Sequence, residues 1–490
     1  MAAGLAARVA MLMMCFPADR ALAASDLEPP RQDRQPQTQR QSLQPIPVEP
    51  GSVKQESVEQ ALAGVAVESP PGGISNAVPL AAHPSANPSL NAAALPFNTP
   101  WDAPHLLNAS WSWGGEHVSL IGTRPASAGQ AGEQWLGQEL KLAVAAKPFA
   151  RVSGLVSLKW QKLYVVDRPD RASQLGFESA YLSWLDAGGE PRLSLGRYYY
   201  EDSRGFLFHQ SVDGLHAEHR WSSAHGDWQA RAFAGRQGVW KENLLAQGDD
   251  DTSYGFVELQ LRHDARQASA YVLARESHTA DNDSPVLLGV RSSGRLSSSW
   301  DHWLELMLAR GESGSQSLRG YGIDVGGIWR WSPAISAIAG YAYASGHDRD
   351  SDDGVNRRFR QTGLQLNNGW IGEGGTKLKY YGELTKPELS NIGLSTLGLR
   401  FTPAEGVSLE VLYHRYRQAQ ADTRFYGYGL KGAPNGLDRA LGEELDLVFS
   451  YRRIRGLKLE LNLAQFWPGE AFGAQARPLS LIYLETRWRF

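Results

Sequence analysis

The sequence predicts an all-β fold, a transmembrane antiparallel β-barrel, and two observations lead to this class. From about residue 108 onward, about twenty stretches of roughly ten residues alternate apolar and polar side chains, as a tilted membrane-crossing strand requires. The connections alternate in length, so that short turns and long polar segments follow each other along the chain. Barrels of this kind have short periplasmic turns and long external loops, whereas a soluble sandwich has no reason to couple loop length to strand parity.

The C-terminal strand shows the two expected faces most clearly. Because alternate side chains of a strand point to opposite sides, each face can be written down directly. One face would carry Ile482, Leu484, Thr486, Trp488 and Phe490, and the other would carry Tyr483, Glu485, Arg487 and Arg489. In a barrel the first face meets lipid and the second a water-filled lumen. A strand that ends the chain on phenylalanine resembles the C-terminal assembly signal of bacterial outer-membrane barrels, which implies the barrel assembly machinery and outer-membrane lipid as partners.

The connections define the two ends of the predicted barrel. Short turns are expected at 187–190, 224–227, 264–267, 331–333, 403–406 and 453–456. Long polar segments are expected at 201–211, 237–251, 346–358, 418–442 and 469–478. On this register the long segments are extracellular and the C-terminus is periplasmic. Closure of the sheet is required, because an open edge in lipid would leave main-chain N–H and C=O groups without partners.

The N-terminal residues 1–24 have the organisation of a secretory signal peptide. Arg8 supplies the positive start, residues 9–16 the apolar core, and the small residues Ala21 and Ala23 a cleavage site. Cys15 is the only cysteine, so the mature chain would have no thiol, which fits an oxidising compartment. Export across the inner membrane is therefore expected.

Residues 25–100 differ in composition from the rest of the chain. Pro, Gln, Ser and Ala dominate, and such a segment cannot bury enough apolar surface to offset the entropy of ordering. A disordered periplasmic tether is favoured over an arm that docks a partner. The barrel is then expected within residues 101–490.

Charge and hydropathy exclude two classes of protein. The net charge of −3 gives no basis for a nucleic-acid partner. No apolar run approaches the length that a spanning helix needs, so a helical membrane protein is excluded. The acidic stretch 348–353 lacks the glycine and glutamate spacing of a calcium loop, and no metal or cofactor is expected.

Several local patterns, in this order, resemble the alginate export porins of the outer membrane. They include Leu195-Gly-Arg197, the segments 340–346 and 359–364, and the segments 441–447 and 466–473. The resemblance extends over roughly residues 135–490. It implies a monomeric barrel of 18 strands in the cell outer membrane. It also implies a narrow, arginine-lined pore for an anionic uronate polymer, fed by periplasmic proteins of polymer synthesis and export.

The sequence also departs from that family near its C-terminus. Members have a long periplasmic loop before the last two strands, and that loop plugs the pore. Here residues 452–456 leave only a tight turn, so no plug is expected at this position. The Pro-rich segment 25–100 is a second departure.

The predicted polymer-binding residues are charged groups expected to line the pore. Guanidinium groups hold carboxylates bidentately at any pH, and several weak sites conduct better than one tight site. In the alternative reading, opposite charges on neighbouring strands pair in a polar lumen. Arg197 has the parity of Leu195, so a β-bulge is expected to aim it inward. The predicted set is Arg197, Asp213, Arg231, Arg360, Glu383, Arg400, Arg415, Glu444, Asp446, Arg487 and Arg489.

Two other functions stay open from the sequence. The first is a diffusion porin for small anions or sugars. The second is an outer-membrane enzyme that uses paired carboxylates such as Glu444 and Asp446 to hydrolyse a sugar polymer. No Ser/His/Asp set is discernible, and a non-enzyme is predicted. His414 is more readily an ordinary hydrogen-bonded histidine than a titrating gate.

Overall fold

The computed structural model describes residues 111–125, 132–166, 172–202, 204–239, 252–278, 283–348, 350–351, 353–371, 375–430 and 432–490. The predicted signal peptide (1–24) and tether (25–100) lie outside the described residues.

The first half of the barrel consists of β1 (Trp111–Arg124), β2 (Glu133–Phe149), β3 (Val152–Val165), β4 (Ala172–Leu185), β5 (Pro191–Glu201), β6 (His209–Ser223), β7 (Gly226–Gln237), β8 (Thr252–His263), β9 (Arg266–Ser277) and β10 (Asp283–Ser297). The second half comprises β11 (Trp300–Ser313), β12 (Gln316–Arg330), β13 (Ile335–Ala344), β14 (Val355–Asn356), β15 (Asn368–Trp370), β16 (Lys377–Lys379), β17 (Ile392–Ala404), β18 (Val407–Gln418), β19 (Ala440–Tyr451), β20 (Leu457–Pro468) and β21 (Leu479–Arg489).

Eighteen of these strands form the wall of a closed antiparallel barrel, counted over the described residues and without the short strands β14, β15 and β16. Each wall strand pairs with the next along the chain, and β13 pairs directly with β17. β21 pairs with β1 from Glu116↔Arg489 to Thr123↔Ile482, which closes the sheet. The predicted fold class and the strand number of 18 are confirmed. Among the described residues, no helix is long and apolar enough to cross a membrane.

The outer surface is an apolar belt with aromatic residues at the end of the barrel that has short turns. On β21, Ile482, Leu484 and Trp488 are exposed, whereas Glu485 and Arg487 on the opposite face are buried. The predicted two-faced C-terminal strand is therefore confirmed. At the short-turn end Trp329 stacks between Trp300 and Trp331, with ring centroids 6.2 and 5.7 Å apart. Such aromatic girdles mark the boundary of the hydrocarbon region in membrane barrels.

The connections follow the predicted alternation with two exceptions. Turns at one end contain at most five residues, including 186–190, 264–265 and the predicted tight turn 452–456. The other end carries the long connections, among them 345–391 and 419–439. The exceptions are the five-residue connection 278–282 between β9 and β10 and the short turn 314–315 between β11 and β12, which both lie at the long-loop end.

Two connections fold into the lumen, and one of them, the segment 201–211, was predicted to be external. The tip of the β5–β6 hairpin, residues 202 and 204–208 and hereafter the hairpin tip, buries Phe206, Leu207 and Phe208. These three apolar side chains explain the inward course, because exposing them to water would cost more than burying them. Residues 359–371 and 375–391, hereafter the luminal segment, also lie inside the barrel. The weak strand candidate at 362–370 belongs to this segment, where only β15 forms and pairs with β16 rather than with the wall.

Candidate functional site

The β5–β6 hairpin leaves the barrel wall at Gly196. Pairing between β4 and β5 ends at Ala180↔Arg197, whereas pairing between β5 and β6 continues to Glu201↔His209. Gly196 has φ +132, a backbone conformation that L side chains rarely adopt. Neither ladder has a register shift at Gly196, so the β-bulge expected at Arg197 is absent. Arg197 points inward because the hairpin leaves the wall at this position. Its buried side chain lies 3.1 Å from Asp213.

The hairpin tip crosses the lumen and binds the opposite wall through two ion pairs. Asp202 lies 3.1 Å from Arg291 on β10, and Arg204 lies 2.8 Å from Asp324 on β12. The guanidinium of Arg204 also lies 4.2 Å from the ring centroid of Tyr380 in the luminal segment. The hairpin tip is thus held by charges on the far side of the barrel.

Backbone hydrogen bonds join the hairpin tip to the luminal segment. The N–H groups of Leu366 and Asn367 both donate to the carbonyl oxygen of Gly205, at 2.9 and 3.0 Å. His209 N donates to Leu364 O at 2.6 Å, and the Thr362 hydroxyl donates to Leu207 O at 2.6 Å. The two segments therefore form one hydrogen-bonded unit across the lumen.

Carboxylates on β19 anchor the luminal segment to the wall. Glu444 accepts hydrogen bonds from Leu384 N at 2.7 Å and Thr385 N at 3.1 Å. Asp446 accepts from Glu383 N at 3.0 Å. Both carboxylates have no accessible surface, so they bind the chain itself in this arrangement.

The luminal segment reaches towards the short-turn end, where a second set of charges holds it. Glu410 accepts a hydrogen bond from Thr376 N at 3.2 Å and pairs with Arg400 at 3.0 Å. Arg452, in the turn after β19, donates to Gly375 O. The segment therefore spans much of the height of the lumen and occupies the place of a plug.

Lysines from the wall and the luminal segment converge on one side of the lumen. Lys141 on β2 lies directly opposite Lys159 on β3, and both point inward. Lys377 and Lys379 of the luminal segment lie in the same region, since all four lysines act electrostatically on His209. These residues, hereafter the lysine cluster, concentrate positive charge on one side of the passage. Directly opposed like charges on a sheet destabilise it unless other groups compensate.

Carboxylates beside these lysines supply part of that compensation. Lys141 lies 2.7 Å from Glu178 and 3.3 Å from Glu139, and Lys377 lies 2.5 Å from Glu201. Nearer the short-turn end, Glu116 binds Arg489 at 2.6 Å and Arg487 at 3.4 Å. The inner wall thus presents both signs of charge along its height.

The structure brings most of the predicted residues into the lumen but not into one site. Arg231 pairs with Glu258 on the inner face, and Arg487 and Arg489 share Glu116. Glu383, Glu444 and Asp446 meet where the luminal segment is anchored, and Arg400 lies at its far end. Arg360 begins the luminal segment, with a side chain that is 45% exposed and lies 3.8 Å from Glu388.

Arg415 lies on the opposite face of the wall from the other predicted residues. Its side chain is 74% exposed on the outer surface of β18, 3.8 Å from Glu443. The reason is parity, since Val411 and Arg415 alternate with the buried Leu412, His414 and Tyr416. Arg415 is therefore not a lining residue of the lumen.

Sequence reasoning missed several charged residues of the lumen. Arg291 and Lys141 could have been found by parity, because they alternate with outward apolar residues such as Val290 and Leu142. Asp202 and Arg204 carried no such signal, because they lie in a connection rather than in a strand.

His414 and the paired carboxylates are buried and bind other groups of the protein. His414 is buried, with its Nδ1 2.9 Å from the Thr396 hydroxyl and its Nε2 3.4 Å from Asp446. Glu444 and Asp446 accept main-chain hydrogen bonds, as described above. Within the described part of the chain, no three His, Cys, Asp or Glu side chains are arranged to hold a metal ion.

Comparison with known protein families gives one match over most of the chain. The model of a family described as alginate export matches residues 142–480. The alginate production protein AlgE of Pseudomonas aeruginosa is 26% identical over 196 residues, which cover 36% of this chain and 39% of that protein. AlgE of Azotobacter vinelandii is 24% identical over 192 residues, covering 35% and 39%. The matched segment thus spans about two fifths of the length of these relatives.

Solved structures share the fold at low sequence identity. OpdL of Pseudomonas aeruginosa superposes with a TM-score of 0.53 at 14% identity, covering 78% of this chain and 99% of that one. OccAB2 of Acinetobacter baumannii gives a TM-score of 0.51 at 11% identity, covering 78% and 98%. At these identities the likeness extends to the barrel fold alone.

Proposed function

Because this chain belongs to the alginate export family and is a barrel of the outer membrane, we propose that it exports an anionic polysaccharide, alginate or a related uronate polymer. The polymer would pass through the lumen from the periplasm to the medium by facilitated diffusion, without a catalytic step. Periplasmic proteins of polymer synthesis and export would deliver it. We further propose that the barrel acts as a monomer.

The observation that carries this proposal is the lysine cluster. A uronate polymer presents a carboxylate on every sugar, and a cluster of ammonium groups beside the passage attracts such a chain. The intervening carboxylates, such as Glu178 and Glu201, keep each contact weak. Weak, repeated contacts suit transport, since a polymer that binds too tightly does not leave.

The predicted arginines and carboxylates divide into two proposed roles. Arg197, Arg231, Arg487 and Arg489 would contribute to the positive lining. Glu383, Arg400, Glu444 and Asp446 would position the luminal segment, because their described contacts are with that segment or with the wall behind it.

Conductance in planar bilayers tests the proposal against both alternatives. We expect a narrow, anion-selective channel that polyuronate blocks from the periplasmic side. A wide channel indifferent to polyuronate would favour a diffusion porin for small solutes. Release of new reducing ends from polymer incubated with the protein would favour an enzyme.

Removing two lysines of the cluster is expected to weaken the block by polyuronate. Lys159→Gln combined with Lys379→Gln should raise the half-blocking concentration about tenfold, since a charged hydrogen bond contributes about 1.5–3 kcal/mol before solvent competition. Lys162→Gln is the matched control, because Lys162 lies on β3 but points outward, over Tyr164. Equal block in the double variant and the control would remove the cluster from the pathway.

The block is also expected to depend on pH. Burial lowers the pKa of Lys379 in the lysine cluster. Burial, together with the nearby charges of Lys379 and Arg124, also lowers the pKa of Lys386, a buried residue of the luminal segment, well below its usual range. A bound carboxylate favours the charged amine, so binding takes up protons and weakens as the pH rises through these depressed pKa values. Block should therefore weaken with rising pH already at values below about pH 10, at which an ordinary lysine is still charged. The half-blocking concentration at pH 6 to 9 checks this, and a constant value would contradict it.

A further inference from the structure

Four arginines cluster on the outer face of the barrel at the extracellular end of its apolar belt. Arg310 on β11 and Arg319 on β12 are exposed there, and Arg415 and Arg417 are exposed on β18. Three tyrosines of the same face lie on the neighbouring strands β12 and β13. The four arginines and these tyrosines are hereafter the arginine–tyrosine patch, which comprises Arg310, Arg319, Tyr321, Tyr341, Tyr343, Arg415 and Arg417.

The register places Arg310, Arg319 and Arg415 directly above apolar or aromatic side chains, and Arg417 follows Arg415 on the same face. Arg310 is the cross-strand partner of Arg319, and the next outward pair towards the membrane is Leu308↔Tyr321. Arg415 pairs with Ser395, and the next outward pair below it is Leu397↔Tyr413. The patch therefore follows the line where the hydrocarbon region ends and head groups begin.

The pair Arg310↔Arg319 places two positive charges opposite each other on adjacent strands. Such a pair is destabilising when nothing compensates it. Nη1 of Arg310 donates to the carbonyl oxygens of Ala309 and Gly320, at 2.8 and 3.3 Å, which orients the guanidinium without neutralising it. An anion bound between the two side chains would convert the repulsion into two attractions.

Acidic residues near the patch offset only part of its charge. Glu443 lies 3.8 Å from Arg415, and Asp438 interacts electrostatically with Arg417. Glu312 is exposed on β11, two residues beyond Arg310 and farther from the membrane. None of the three is the cross-strand partner of Arg310 or Arg319.

Tyrosine hydroxyls add uncharged donors between the two arginine pairs. The ring centroids of Tyr321 and Tyr343 lie 5.8 Å apart. Tyrosine is suited to this depth, because its ring lies in lipid while its hydroxyl reaches the polar layer.

We propose that the arginine–tyrosine patch binds a phosphorylated, multiply acylated glycolipid of the outer leaflet. Its phosphates would lie between Arg310 and Arg319 and beside Arg415 and Arg417, and its acyl chains against the apolar belt below. Guanidinium groups bind phosphate oxygens bidentately, and a ligand at this depth must combine an anionic head with apolar tails. The patch is separated from the lumen by the barrel wall, so the site is distinct from the proposed pathway of the polymer.

Lipid binding to the purified barrel in detergent tests the proposal. Native mass spectrometry with bis-phosphorylated lipid A should show bound lipid, and enzymatically dephosphorylated lipid A should bind about tenfold more weakly or not at all. Arg310→Gln combined with Arg319→Gln should cause a loss of similar size. Arg453→Gln combined with Arg455→Gln removes the same charge from an exposed periplasmic turn and should leave binding unchanged.

Three outcomes would overturn the proposal. They are equal binding of the two lipid A forms, equal loss in both double variants, and displacement of lipid A by soluble polyuronate. The comparison of lipid forms uses the unaltered protein, so it decides the matter even if a variant fails to fold. Heat-dependent migration in SDS gels establishes that each variant barrel is folded.

Discussion

Replacing Glu444 with alanine is expected to loosen the luminal segment and to make large-conductance events frequent in single-channel recordings. The substitution removes the acceptor for the N–H groups of Leu384 and Thr385. Each buried donor left without a partner costs about 1–3 kcal/mol. The sum is enough to raise the population of a displaced segment by at least one order of magnitude, at about 1.4 kcal/mol per factor of ten.

Two variants at the same place separate anchoring from charge. Glu444→Gln keeps an acceptor oxygen and should retain most of the closed behaviour. Glu443→Ala removes a carboxylate from the adjacent position, but Glu443 points outward and lies 3.8 Å from Arg415, so its recordings should match the unaltered channel. Indistinguishable conductance for Glu444→Ala and Glu443→Ala would show that these hydrogen bonds do not hold the segment in place.

The wall of the barrel could be predicted from the sequence because a single rule governs every strand. Lipid on one side and water on the other impose a period of two, and closure ties loop length to strand parity. Even a short segment such as residues 482–488 therefore identifies its inward and outward side chains. Arg415 was assigned to the wrong face although this rule, applied from Val411 onward, places it outside.

The contents of the lumen could not be predicted in the same way. The luminal segment has no period, and its position depends on hydrogen bonds to residues far along the chain, such as Glu444. Arg197 is an example, since the sequence predicts its inward orientation but not the reason for it. Arg197 points inward because the hairpin leaves the wall at Gly196, and not because of a β-bulge. Long-range contacts of this kind have no signature in a local stretch of sequence.

Removing the carboxylate of Asp324 is expected to give the largest loss of stability among the lumen variants. Asp324 accepts hydrogen bonds from Trp303 Nε1 and the Tyr381 hydroxyl, both at 2.8 Å, and pairs with Arg204 at 2.8 Å. Its carboxylate therefore connects the wall, through Trp303, to the luminal segment, through Tyr381, and to the hairpin tip, through Arg204. Asp324→Ala leaves a buried guanidinium without its partner, which costs about 3–5 kcal/mol.

Thermal unfolding in detergent and limited proteolysis measure this loss. The apparent melting temperature should fall, and cleavage within the luminal segment should become faster. Asp353→Ala is the control, because Asp353 forms an exposed pair with Arg357 at the rim, and exposed pairs add little to stability. Its melting temperature should match that of the unaltered barrel.

A double-mutant cycle with Arg204 shows whether the ion pair is the cause. Removing both partners should destabilise the protein less than the two single substitutions add up to, since no buried charge is then left alone. Strict additivity of Arg204→Ala and Asp324→Ala would contradict the pairing. The effect of Asp324 would then come from its hydrogen bonds to Trp303 and Tyr381, and the hairpin tip would be held by Asp202 and Arg291 instead.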